Sequence, residues 1–219
     1  MMKLFDIKPV EEKLLKGIRS IIRNKLNKEV ISGIKICKKN GGVKTYKIII
    51  KNSNPLRLDI KYPQEITRLQ MVANKTNIEI PKVIFSYRNY KFSEWIEGVM
   101  LYEVWNIDEV FIKSGDLVGR LNLIKDPVTN NFLTNGELSS TNAIWTPDKK
   151  VYIIDQGRMQ AMLNPDIPLI KVLLKRIREK RRINLFLESY SKHRDIDNII
   201  KMLDKKNWRW NDKTPLHKS

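Results

Sequence analysis

Several things are scarce in this chain of 219 residues. It has one cysteine, Cys37, which excludes an internal disulfide and fits a reducing cytoplasm. No apolar run approaches the ~18 residues that a membrane-spanning helix needs. The N-terminus, MMKLFDIKPVEEKLLKG, has no apolar stretch of the signal-peptide kind. Acidic residues are also in short supply, 24 against 42 Lys and Arg, for a formal net charge of +18. A field of that size favours polyanionic partners, although Lys, Ile and Asn are abundant throughout and part of the charge is compositional. It is clustered in LLKRIREKRR at 173–182 and in KKNWRW at 205–210, where basic and aromatic residues interleave as in nucleic-acid-binding segments.

Hydrophobic residues make up 42% of the chain, enough for a packed core, and its length suits one domain of two small lobes. Residues 9–26 place Val10, Leu14, Leu15, Ile18, Ile21, Ile22 and Leu26 on one helical face. Two strand-like runs within 28–51 flank Asn40-Gly41-Gly42, a strong hairpin signal. A helix over 63–74 follows, then strands on either side of Arg88-Asn89. Beyond Gly98 the pattern turns helical, at 108–124 and again at 166–181, 183–192 and 195–206. The expected fold is α+β and two-lobed: an N-terminal lobe over 1–97 with a small antiparallel sheet, and a mostly helical lobe over 98–219.

Between those helical stretches lies the segment richest in chemistry, NGELSSTNAIWTPDKKVYIIDQG at 135–157. A loop of the form H-x-D-x-x-x-x-N followed by a strand and D-x-G is the signature of protein-kinase catalysis. Here Asn135, Glu137 and Asn142 fill the loop positions, and Asp155-Gln156-Gly157 supplies the turn. Asn142 and Asp155 offer the oxygen ligands that hold Mg²⁺ against ATP phosphates. Glu137 replaces the Asp that orients the acceptor hydroxyl, and its extra methylene displaces the carboxylate by about 1 Å, a shift that can cost ~10²-fold in rate. His193-Arg194-Asp195 also spells HRD, but it follows the turn and lacks the partner asparagine. It reads as a helix start, with Asp195 near the cap.

Lys51, ending the run YKIIIK, has the form of the strand lysine that grips ATP phosphates, with Glu65 in the next helix as its partner. Lys61 is the rival. Glu94, Trp95 and Ile96 in SEWIEG fit the hinge that holds adenine through backbone groups. Ser32-Gly33 is a weak candidate for a phosphate-covering turn.

Taken in order, IIIK, Glu65, IPKV, SEWIEG, SGDLVGRLN, GELSSTN and VYIIDQG resemble the atypical kinases of the RIO type, most closely the small kinase subunit of the KEOPS tRNA-modification complex. The resemblance covers about residues 28–160. It implies a kinase-like fold, Mg-ATP bound by Lys51, Glu65, Asn142 and Asp155, Glu137 at the catalytic position, and tRNA or a protein partner at the basic C-terminal region. The departures at Asn135 and Glu137 also admit a weakly active scaffold that binds nucleotide and RNA. Aminoglycoside-type small-molecule kinases share the same loop logic, so the expected reaction is phosphoryl transfer from ATP with the acceptor left open.

Overall fold

The computed structural model describes residues 5–38, 45–60, 63–135, 138–139, 141–155, 157–173, 177 and 179–205. The chain divides into two compact units, one of Met1–Thr67 with Pro81–Trp95, the other of Arg68–Ile80 with Ile96–Ser219. The second unit therefore takes in residues 68–80, which the sequence places in the first half.

The first unit is an antiparallel sheet of β1 (Phe5–Pro9), β2 (Val30–Lys38), β3 (Thr45–Ile50), β4 (Leu56–Ile60), β5 (Val83–Tyr87) and β6 (Tyr90–Glu94). Its strand order is β1-β2-β3-β4-β6-β5. Helix α1 (Glu12–Leu26) lies on one face. Its apolar stripe puts Leu15, Ile18 and Ile22 into a core with Tyr46, Ile48, Ile50, Leu56, Leu58 and Phe92. Each such side chain contributes about 1.5–3 kcal/mol when fully buried, so packing, more than helix propensity, holds α1 in place. The helix stops where Asn27 turns left-handed (φ 53°) and returns its N–H to the Arg23 carbonyl at 3.0 Å. Pro9, expected at the helix start, instead closes β1.

Gly33 lies inside β2, where an added Cβ would come within 2.8 Å of Val10 Cγ2. Its role is close packing of the chain entering α1, not the phosphate-covering turn considered from sequence. The hairpin joining β2 and β3 forms as expected, and its Asn40-Gly41-Gly42 tip lies outside the described residues. Helix α2 (Gln64–Asn74) follows β4, a strand that periodicity alone does not reveal. Its sequence, LRLDI, carries two charges, and the face that bears them is covered.

In the second unit, α3 (Asp108–Leu121) packs along α5 (Lys180–Tyr190). Their close approach depends on Gly115, whose missing Cβ would sit 2.1 Å from the Phe186 carbonyl oxygen. Short strands β7 (Val99–Met100), β9 (Ala143–Trp145) and β10 (Val151–Ile153) form one sheet, and β8 (Phe132–Asn135) pairs with β11 (Met159–Met162). Helices α4 (Asp166–Val172) and α6 (Asp197–Lys205) complete the unit. A polar chain ties the end of α3, α5 and α4 together. Asn122 Nδ2 donates to the Tyr190 hydroxyl at 2.9 Å, and that hydroxyl donates to Asp166 Oδ1 at 2.6 Å. Burial, together with the Asp166 carboxylate, pushes the Tyr190 phenol well above its ordinary range, so it stays a donor. Asp195, as expected of a cap, accepts the Asp197 N–H at 3.0 Å where α6 begins. Among the described residues no helix is long and apolar enough to cross a membrane.

Candidate active site

The loop, hairpin and turn of residues 135–157 fold locally within the second unit. Phe132 to Asn135 pair with β11, which fixes Asn135 at a strand end, almost fully buried. Leu138 and Ser139 are also buried, and Asn142 closes a turn by donating its N–H to the Ser139 carbonyl at 3.0 Å. From there the chain enters the β9–β10 hairpin, whose Thr146 Oγ1 bonds Asp148 at 2.6 Å across the Pro147-Asp148 corner. The register that pairs Ala143 with Ile153 brings Asn142 opposite Ile154 at the open end, with Asp155 one residue beyond. The Asn142 carbonyl accepts the Ile154 N–H at 2.9 Å and the Asp155 N–H at 3.3 Å. Asn135 Nδ2 donates to the Asp155 carbonyl at 3.1 Å, and the Gly157 N–H caps Asp155 Oδ1 at 3.0 Å. Two residues thirteen positions apart in sequence are thus locked together by backbone bonds. Glu137 and Gln156 lie outside the described residues.

An Asn carboxamide and one carboxylate form an all-oxygen donor set. Mg²⁺ prefers such a pair, completing its octahedron with water and substrate phosphates. Among the described residues no group of three or more His, Cys, Asp or Glu is arranged to hold a metal ion. The donor set fits magnesium.

The sheet unit arranges the other expected residues less simply. Lys51 sits in the turn after β3, and its ammonium bonds Glu29 Oε2 at 2.9 Å. Both side chains are more than half exposed. The hydrogen bond and charge of Lys51 hold the Glu29 carboxyl below its usual value. Because β4 intervenes, Lys51 does not end the strand that feeds α2. Glu65 is exposed in the first turn of α2, and Lys61 lies outside the described residues. Glu94 ends β6 with its N–H donated to the Lys82 carbonyl at 2.9 Å. Lys47 Nζ stands 4.7 Å from the centre of the Trp95 ring. Ile96 begins the second segment of the second unit.

Sequence reasoning passed over a charged cluster on the sheet face opposite α1. Asp59, fully buried, receives Arg57 Nε at 3.0 Å and Lys91 Nζ at 3.2 Å, and Thr45 Oγ1 donates to it at 3.1 Å. Burial alone would raise the Asp59 pKa. The Arg57 and Lys91 charges and hydrogen bonds outweigh it and hold the carboxyl below its ordinary value. The available signal is period-2 spacing, Arg57 and Asp59 on one strand and Lys91 and Ser93 on another.

The described part of the basic 173–182 stretch is engaged within the protein. Arg181 pairs with Asp108, and Arg182 bonds Glu179 at 3.0 Å while its guanidinium covers the Phe111 ring at 5.1 Å. Residues 206–210 of the second basic stretch lie outside the described residues.

No protein-family model and no curated protein matches the sequence. The fold does match solved structures. Spectinomycin phosphotransferase APH(9)-Ia, in complex with ADP and spectinomycin, aligns over 91% of this chain and 90% of its own at 12% identity, with a TM-score of 0.66. Macrolide 2′-phosphotransferase MphH from Brachybacterium faecium aligns over 88% of both chains at 11% identity (TM-score 0.62). A Plasmodium vivax ethanolamine kinase aligns over 89% of this chain and 78% of its own at 12% identity (TM-score 0.60). The chain has the α+β, protein-kinase-like fold that the sequence predicts. Of the expected resemblance, the comparisons bear out the kinase-like fold and give no support to a RIO-type or KEOPS kinase in particular.

Proposed function

We propose that the protein is a Mg-ATP-dependent phosphotransferase acting on the hydroxyl of a small molecule. The observation that carries this reading is the backbone bonding of Asp155 to Asn142, which holds the two residues close together at the end of one hairpin. These two would hold Mg²⁺, whose charge neutralises the phosphates as the γ-phosphoryl group leaves. Glu137 would orient the acceptor hydroxyl and take its proton. Glu94, Trp95 and Ile96 would contact the nucleotide base, and Glu65 would support a phosphate-binding cation. Asn135 does for the loop what a histidine does in the usual motif, bracing it through the Asp155 carbonyl.

A small-molecule acceptor is better supported than a KEOPS-like role, since the similar folds include antibiotic and ethanolamine kinases. The net charge of +18 disfavours a polycationic acceptor and favours a neutral or acidic one. The test is transfer of labelled γ-phosphate to panels of neutral, acidic and cationic alcohols, with protein and tRNA as further acceptors. Labelling of a neutral or acidic alcohol is the expected result, and labelling of protein or tRNA alone would refute the small-molecule assignment.

The substitution of Glu for Asp at 137 favours a second reading, a nucleotide-binding scaffold with little turnover. Replacing Glu137 with Asp separates the two. An enzyme gains or keeps turnover when the carboxylate is restored to the usual reach, and a scaffold stays silent.

A further inference from the structure

A groove of about 840 Å³ is formed wholly within the first unit, where α1 meets the start of β2 and the turn after β3. Four cations line it against one carboxylate, Glu29. Arg19 and Arg23 come from α1, Lys28 from the link to β2, and Lys51 from the turn. On α1 the lining residues repeat after one helical turn, Arg19 with Arg23 and Ser20 with Asn24. A four-residue step advances about 6 Å along a helix. The wall therefore offers a cation beside a neutral hydrogen-bonding group, and then the same pair again.

These groups are available to a ligand. Arg23, Ser20 and Asn24 make no side-chain hydrogen bond among the described residues. Arg19 bonds Glu12 at 2.5 Å and Lys51 bonds Glu29 at 2.9 Å, both as exposed pairs. Water screens such pairs, and a phosphate can replace the carboxylate at little cost. Lys28 Nζ donates to Ser53 Oγ at 2.7 Å, a neutral partner that leaves its charge uncompensated. Ile31, which also lines the groove, is 55% exposed and offers an apolar surface to a sugar or a base edge.

We infer that this groove binds a nucleic-acid strand through its phosphodiester backbone. The inference goes beyond the proposed function and does not rest on it, since the groove shares no residue with the candidate active site. A phosphodiester backbone presents an anionic group at every nucleotide, a repeat that the α1 wall can follow. Arginine forks match phosphate oxygens in pairs, and the two lysines add point charges from the other elements. The net charge of +18 draws a polyanion toward the protein from a distance. A pocket for a small molecule is mostly apolar and enclosed, whereas this groove is open and walled by charge. A membrane-surface helix inserts its apolar face into the bilayer. The apolar face of α1 is already spent on the core through Leu15, Ile18 and Ile22. No aromatic ring lines the groove, so it reads the backbone without stacking on bases.

The test is fluorescence anisotropy of the full chain with labelled single-stranded oligouridylate and oligothymidylate, from about 50 to 200 mM salt. Wild type should bind both strands, within about threefold of each other, because the 2′-hydroxyl is not read. R19Q/R23Q/K28Q should bind about tenfold more weakly or worse at low salt, with a salt slope shallower by about 2. R23Q/K28Q leaves the Arg19–Glu12 pair in place and should lose about two-thirds as much slope. This graded response is one that a folding defect would not give, and circular dichroism should be unchanged in both variants. K113Q/K192Q/K201Q removes the same charge from exposed positions of the second unit and should bind within about threefold of wild type. An equal loss in that control would assign binding to diffuse charge and overturn the inference. So would absence of wild-type binding at low salt, an unchanged slope in the triple groove variant, or strong preference for one of the two strands. Tighter binding to phosphatidylserine vesicles or polyglutamate than to either oligonucleotide would overturn it as well.

Discussion

Asn135 donates its side-chain N–H to the backbone carbonyl of Asp155, 3.1 Å away, and so joins the start of the loop to the turn that carries the carboxylate proposed to hold the metal. The bond spans twenty residues of sequence and is nearly sealed from solvent at Asn135. It explains how a loop that lacks the usual histidine still holds Asp155 in position.

Asn135→Ala should therefore do two things. Leaving the Asp155 carbonyl without this donor costs about 1–3 kcal/mol of stability, read as a lower urea midpoint. Loosening of the turn should also reduce phosphoryl-transfer turnover by about tenfold or more. An unchanged midpoint would show that the bond contributes nothing.

Gly115→Ala tests the packing of the second unit. The new methyl would meet the Phe186 carbonyl, a backbone atom that cannot rotate away. Overpacking of this kind costs about 1–3 kcal/mol and occasionally more, so the thermal midpoint should fall by several degrees. The neighbouring Gly119 faces the His193 side chain, which can give way, and an alanine there should cost less.

Acid sensitivity has a specific source in Asp126. Arg68 pairs with it, and Thr129 Oγ1 and the Val128 N–H also donate to it, holding its carboxyl far below the ordinary range. A carboxylate depressed in the folded state adds stability that is fully present above its unfolded value of about 3.9 and is lost as pH falls below it. Denaturation midpoints should therefore hold steady from about pH 7 to 5 and drop below about pH 4. Asp126→Asn should be less stable at neutral pH, with a shallower acid limb. An acid limb of unchanged slope in that variant would assign the effect to other carboxylates.

Much of the fold was legible because its signals are local. The stripe of Leu15, Ile18 and Ile22 marks α1, and the strands around Arg88-Asn89 and Pro147-Asp148 form where the turn residues place them. Strand β4 was not legible, since its alternation puts charges on a covered face and reads as a loop. The same strand hid the Asp59 cluster, whose members become neighbours only through register across β3, β4 and β6. Asn142 and Asp155, expected from sequence to hold a metal, come together because a hairpin of short span joins them. Lys51 was chosen from the form of its strand end, and nothing local in the sequence reveals that Glu29, twenty-two residues earlier, occupies its ammonium.

The most direct measurement is ATP turnover with and without Mg²⁺ for the wild type beside Asp155→Ala. Magnesium-dependent turnover that vanishes in the variant, with its circular dichroism unchanged, is the predicted result. Equal turnover in the two proteins, or wild-type turnover indifferent to magnesium, would contradict the assignment of Asn142 and Asp155 as the metal-holding pair of a phosphotransferase.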